Sequence, residues 1–148
     1  MKNILSYDKE TGIFTWNKNG KTAGSKNSRG YIKIKIKGKY FYAHRIAFTF
    51  MGIQMPKTVD HINKIPHDSR WENLRPATYE QNNANRRVYK TSKSGMKGVF
   101  FKKERGCWAT EIQINKKTFR LGCFRTQKEA KFAYNKKAKE ALGDFACY

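Results

Sequence analysis

From Tyr31 to Lys37 the chain alternates without exception, with Ile32, Ile34 and Ile36 on one side of an extended backbone and Lys33, Lys35 and Lys37 on the other. A period of two sends successive side chains to opposite faces of a strand, whereas a helix would scatter the same isoleucines around its circumference. The segment therefore reads as a half-buried strand. Gly38-Lys39 turns it back into Tyr40 to Ala43, which predicts a hairpin whose outer face carries a row of ammonium groups. That row either protects an exposed sheet edge or meets phosphate, and Lys33 and Lys35 are the candidates for the second role. Upstream, Tyr7 to Trp16 reads as a turn followed by a short β run. Downstream, His44 to Met51 predicts a short, mostly buried helix ending at Gly52.

A polar stretch, Lys90-Thr91-Ser92-Lys93-Ser94-Gly95, has no large apolar side chain and predicts a linker at 91–95 between a module at 1–90 and another at 96–148. Residues 1–90 and 91–148 carry the same sign of charge, +12 and +9 of the total +21. Such self-repulsion opposes a compact state unless a polyanion offsets it, which points to nucleic acid ahead of an anionic membrane surface. With 39% hydrophobic and 14% aromatic residues the chain is not a disordered basic tail, and a large enzyme with an enclosed substrate cavity is not expected either. Cys107, Cys123 and Cys147 form no CxxC pair, so they read as reduced thiols in a cytoplasmic protein. No apolar run reaches the ~20 residues of a membrane span, and the first residues lack a signal-peptide core.

From Val59 the pattern becomes specific. Asp60 and His61 are adjacent, Asn73 follows twelve residues after His61 in Asn73-Leu74-Arg75, and Asn82 comes nine later in Gln81-Asn82-Asn83-Ala84-Asn85-Arg86. Phosphodiester hydrolysis needs a base for water and a cation for the crowded phosphate and its leaving oxygen. Asp60 and Asn82 offer hard oxygens suited to Mg²⁺ or Mn²⁺. His61, neutral near pH 7, can accept a proton from water. On a helix starting near Tyr79, Asn82 and Asn85 share a face and Asn83 lies about 100° away; Asn85 would support the metal or bind phosphate. Arg45 and Arg86 are further candidates for DNA contact. His67 reads as an exposed turn residue, and His44 stands between a phosphate contact and a structural hydrogen bond.

The arrangement D-H-x(11)-N-L-R-x-x-T-x(3)-N-x-x-N, with an upstream His-Arg-Ile-Ala segment, resembles the HNH endonuclease family, most closely its homing and phage-encoded branch. The resemblance implies a ββα-metal fold, with Asp60 and Asn82 as metal ligands, His61 as general base, and Asn73 bracing the loop and orienting His61. Many relatives have His where this chain has Asn82, a departure that weakens metal affinity.

In the second module Val99 to Lys103, Trp108 to Asn115 and Thr118 to Phe124 predict three antiparallel strands. Thr126-Gln127-Lys128-Glu129 predicts a capping box, and the helix after it, with Ala130, Tyr134, Ala138 and Ala141 on one face, runs to about Leu142. Ser94 to Val99, Trp108 to Ile112, Leu121 to Phe124 and Glu129 to Tyr134 look like the APETALA/ethylene-response-factor DNA-binding domain. That likeness implies a sheet laid in the major groove, with Lys97, Lys102, Gln113, Thr118 and Arg120 at the DNA and Trp108 either in the core or against a sugar. Several arginines of that family are replaced here, so its sequence preference does not carry over. The expected whole is α+β: a hairpin and short helix, a ββα-metal nuclease module, then a three-stranded antiparallel sheet packed on one helix. The expected activity is double-stranded DNA cleavage to 3′-hydroxyl and 5′-phosphate ends. The alternatives are a non-catalytic DNA-binding regulator with a degenerate nuclease fold and, with Phe100, Phe101 and Phe119 on a sheet, an RNA-binding protein. The oligomeric state is open.

Overall fold

A computed structural model describes residues 1–86, 88 and 92–146 and divides into two compact units, Met1–Thr78 and Tyr79–Tyr148. In the first unit β1 (Leu5–Tyr7) pairs antiparallel with β2 (Phe14–Trp16). The alternating segment forms β4 (Ile32–Ile36), the centre of an antiparallel sheet between β3 (Ser25–Lys26) and β5 (Lys39–Tyr42). Ile34 and Ile36 are buried and Lys35 is exposed, as the period of two requires. The helix α1 (Ala43–Phe50) buries Ala43, His44, Ile46, Ala47 and Phe48. A second hairpin, β6 (Thr58–His61) with β7 (Leu74–Ala77), adds Val59 and Leu74 to the same core. Burying side chains of this size contributes about 1.5–3 kcal/mol each, so Ile34, Ile46, Phe48 and Phe14, each 1% exposed or less, form the base on which the hairpin rests.

The N-terminal segment is tied to the turn between β6 and β7. The Tyr7 hydroxyl donates to the Ser69 carbonyl at 2.7 Å, and the Trp71 amide donates to the Lys9 carbonyl at 2.9 Å. Gly12, at φ +73°, lies so close to the Ser69 and Arg70 backbone that a Cβ there would overlap it.

The second unit begins with α2 (Tyr79–Asn85). Its sheet has the order β10–β9–β8, from β8 (Val99–Lys102), β9 (Cys107–Ile114) and β10 (Lys117–Phe124), all antiparallel, with a bulge in β10 between Arg120 and Gly122. The helix α3 (Gln127–Leu142) opens with the expected capping box: the Thr126 hydroxyl accepts from the Glu129 amide and the Glu129 carboxylate accepts from the Thr126 amide, both at 3.2 Å. Ala130, Tyr134 and Ala138 pack with Val99 and Ile112, but Ala141 is exposed, and Leu142, four residues after Ala138, packs on this core in its place. Gly98 sits at φ +64° where a Cβ would overlap the Glu111 carbonyl and the Tyr134 ring, so only glycine lets sheet and helix close. Ser92 to Gly95, placed in the linker from sequence, is bonded within this unit: the Ser94 hydroxyl donates to the Val99 carbonyl, and the Gln127 side-chain Nε2 donates to the Ser94 carbonyl, both at 2.6 Å. Thr91 and Cys147 lie outside the described residues. No helix among the described residues is long and apolar enough to cross a membrane.

Candidate active site

The β6–β7 hairpin brings Asp60 opposite Arg75 and His61 opposite Leu74. Both Asp60 and His61 are buried, at 3% and 7% exposure. Arg75 Nε donates to Asp60 Oδ2 at 2.8 Å, so the charge on this carboxylate is kept in the interior by a partner one strand away. Burial holds the His61 imidazole below its ordinary pKa; Asp60 and Asp68 pull it back up, and His67 pushes it down further. Burial dominates, and His61 is neutral at pH 7.

Asn73, 5% exposed, closes the 3₁₀ turn Trp71–Asn73 just before β7. Its Oδ1 accepts from the Asn63 amide and its Nδ2 donates to the Asp68 carbonyl, both at 2.9 Å, while its own carbonyl accepts from the Ile62 amide at 2.9 Å. One side chain thus spans the loop that leaves His61. Asp68 stiffens the far end: its carboxylate accepts from Arg70 at 2.8–3.2 Å and from Asn63 Nδ2 at 2.6 Å. The hydrogen bonds from Arg70 are the main reason that Asp68 is pushed down to about 2. His67 is the exposed turn residue expected.

His44 is 8% exposed on α1, and its ring lies 4.8 Å from that of His61. Burial, with smaller contributions from His61 and Arg45, pushes it down to about 3. Its Nδ1 is buried with no hydrogen-bond partner among the described residues, so the structural hydrogen bond considered for it is not made there. Nothing in the sequence marked this pairing, since seventeen residues separate the two histidines.

Three residues expected at the DNA are used inside the fold. Arg45 Nη1 donates to the Lys57 carbonyl at 3.0 Å and Nη2 to the Pro56 carbonyl at 3.3 Å, clamping the segment that enters β6. Lys97 Nζ donates to the carbonyls of Asn83, Ala84 and Arg86, so its three protons satisfy the open C-terminal turn of α2. Trp108, half-buried, stands across from Phe101 and Phe124 and packs against the second core. Directly paired residues share a face. On that rule Lys102, Gln113, Thr118 and Arg120 all lie on the face of the second sheet turned away from α3, with Phe100 and the thiols of Cys107 and Cys123. In the first sheet Lys33 and Lys35 stand over the rings of their cross-strand partners, Lys33 Nζ 5.4 Å from Tyr42 and Lys35 Nζ 5.7 Å from Tyr40. On α2, Asn82 and Asn83 are half-buried, Asn85 is buried and Arg86 beyond it is exposed.

Among the described residues no group of three or more His, Cys, Asp or Glu gathers for a metal. Asp60, in the first unit, offers the hard carboxylate oxygen that suits Mg²⁺, an ion that keeps several waters and takes one or two carboxylates plus substrate phosphate, whereas Asn82 belongs to the second unit. No curated protein matches the chain. The family described as HNH endonuclease matches residues 41–84, from β5 through α1 and the β6–β7 hairpin into α2, and HNH nucleases generally use divalent metal ions. This match spans His44, Asp60, His61, Asn73 and Asn82 and supports an HNH nuclease, a hydrolase with DNA as its substrate.

Proposed function

We propose that the chain is a metal-dependent, homing-type HNH endonuclease that hydrolyses double-stranded DNA to 3′-hydroxyl and 5′-phosphate ends, with a nuclease domain at 1–90 and a DNA-binding domain at 96–148 that tethers it. The observation that carries the reading is a buried His61 next to the buried carboxylate of Asp60, at the start of a loop whose backbone Asn73 bonds on two sides. His61 takes the proton from the attacking water, and its neutrality keeps the accepting nitrogen open at pH 7. Asn73 holds the loop so that the ring meets the water in one orientation. Asp60 and Asn82 would hold Mg²⁺ or Mn²⁺, which supplies positive charge to the scissile phosphate and the leaving 3′-oxygen. Lys33 and Lys35 on the first sheet, Arg86, and Lys102, Gln113, Thr118 and Arg120 on the open face of the second contact the DNA. The basic, Arg- and Lys-bearing face of that second sheet supports a tethering role resembling the APETALA/ethylene-response-factor domain.

His61→Ala tests the reading. Cleavage should fall ~10²–10⁴-fold, the usual loss of a general base, while DNA affinity is kept. A parent protein that binds DNA and never cuts it would instead be the regulator with a degenerate nuclease fold. For the tether, Lys102→Ala, Gln113→Ala and Arg120→Ala together should weaken binding and flatten the slope of log K against log[salt], each lost phosphate contact removing about 0.9. An unchanged slope would give the second unit a different task.

A further inference from the structure

Four rings meet beside the hairpin. Tyr31 immediately precedes β4, Tyr42 ends β5, His44 lies in the first turn of α1 and His61 ends β6. Tyr31 and Tyr42 contact each other at 5.7 Å between centroids, and His44 touches both, at 5.3 Å from Tyr31 and stacked at 5.5 Å on Tyr42. His61 is met by two of these rings, edge-on by His44 at 4.8 Å and by Tyr31 at 5.8 Å.

This arrangement answers a mechanical need of the proposed reaction, on which the inference rests. The torsion that turns an imidazole about its Cβ–Cγ bond is broad and roughly two-fold, so a free ring would present nitrogen or carbon to the water with little preference. Contact with two neighbouring rings restricts that freedom. Phenylalanine could fill the same space at 44 without burying a nitrogen that has no partner among the described residues. The imidazole is thus kept at a cost to stability, and the site residue it touches is His61. We infer that His44, supported by Tyr31 and Tyr42, is a positioning residue that fixes the ring of His61 in the orientation the cleavage step uses.

The test uses the full chain with His44→Phe, which keeps the ring and removes Nδ1, and His44→Asn, which restores a polar atom near the Nδ1 position. Steady-state cleavage, DNA affinity, melting temperature and the ring ¹⁵N and ¹H signals of His61 are measured for each. His44→Phe should melt at or above the parent temperature and bind DNA with parental affinity and KM. Its kcat should fall ~10–100-fold, the scale of a misplaced catalytic group, and the single set of His61 ring signals should broaden or double. His44→Asn should recover part of kcat. Parental kcat and unchanged His61 signals in His44→Phe would overturn the inference, as would equal losses of kcat and melting temperature in both variants, which would make His44 a packing residue only. A parent that does not cleave would sink the nuclease reading instead, and the His61 signals would still decide whether His44 fixes that ring.

Discussion

Asn73→Ala probes the loop that carries His61. The alanine removes the acceptor of the Asn63 amide and the donor to the Asp68 carbonyl, two bonds of 2.9 Å made by a side chain that is 5% exposed. A buried group left without its partner costs about 1–3 kcal/mol. Asn63 and Asp68 are only half-buried, so water compensates in part and the lower half of that range applies, about 2–4 kcal/mol for both. In a unit of this size, Met1–Thr78, each kcal/mol moves the melting temperature by about 4–8 °C, so the first unit should melt about 8–32 °C lower. Asn73→Asp keeps an acceptor for Asn63 but sets a carboxylate oxygen against the Asp68 carbonyl, and it should be no better than alanine. Near-ultraviolet circular dichroism, which reports Trp71 beside the loop, gives the melting curve, and hydrogen exchange gives the Asn63 amide. A shift under about 3 °C with the Asn63 amide still protected would refute the bracing role.

Stability should fall as pH is lowered. His44 is held down to about 3 against an ordinary 6.5, so between those values the unfolded chain binds a proton that the folded chain refuses. The loss grows from pH 6.5 downward toward pH 3 to an order of 4–5 kcal/mol, and protonation of Asp68, held down to about 2, adds to it below its ordinary range. Urea midpoints at pH 7, 5 and 4 should drop accordingly and flatten in His44→Phe; a flat parent profile would contradict the burial of His44. The acid limb of cleavage should likewise lie below pH 6.5, because His61 is also shifted down. Lys97→Met should speed amide exchange at the end of α2 and leave the salt slope of DNA binding unchanged; a slope smaller by about 0.9 would return Lys97 to the DNA. Gly98→Ala combines a positive φ with overlap on Tyr134 and should destabilise the second unit by about 1–3 kcal/mol, read from its own melting transition.

Local patterns were legible in the sequence because they depend on neighbours in the chain. The Ile-Lys alternation gave β4 its buried and exposed faces and the Thr126–Glu129 spacing gave the cap of α3, whereas bracing by Asn73 was implied only by the family resemblance; its side chain bonds Asn63 and Asp68. Long-range partners were not legible. A basic side chain in a basic protein reads as a phosphate ligand until its partner is known, and Arg45 and Lys97 find theirs in backbone carbonyls 11 to 14 residues away. The face of Trp108 depends on the register with β8 and β10, which strand periodicity alone does not encode. The ring cluster at His61 draws on four separate elements, so no sequence window contains it. Ser92 to Gly95 has the composition of a linker, yet the Ser94 hydroxyl and carbonyl find partners inside the second unit.

The most direct measurement incubates the full chain with supercoiled plasmid at low salt, with Mg²⁺ and then with excess EDTA. The account predicts that Mg²⁺ converts the supercoiled band to nicked or linear DNA with ligatable 3′-hydroxyl and 5′-phosphate ends, that EDTA stops the conversion, and that His61→Ala abolishes it. Plasmid that is bound and shifted by the parent but stays supercoiled in Mg²⁺ and in Mn²⁺ would contradict it.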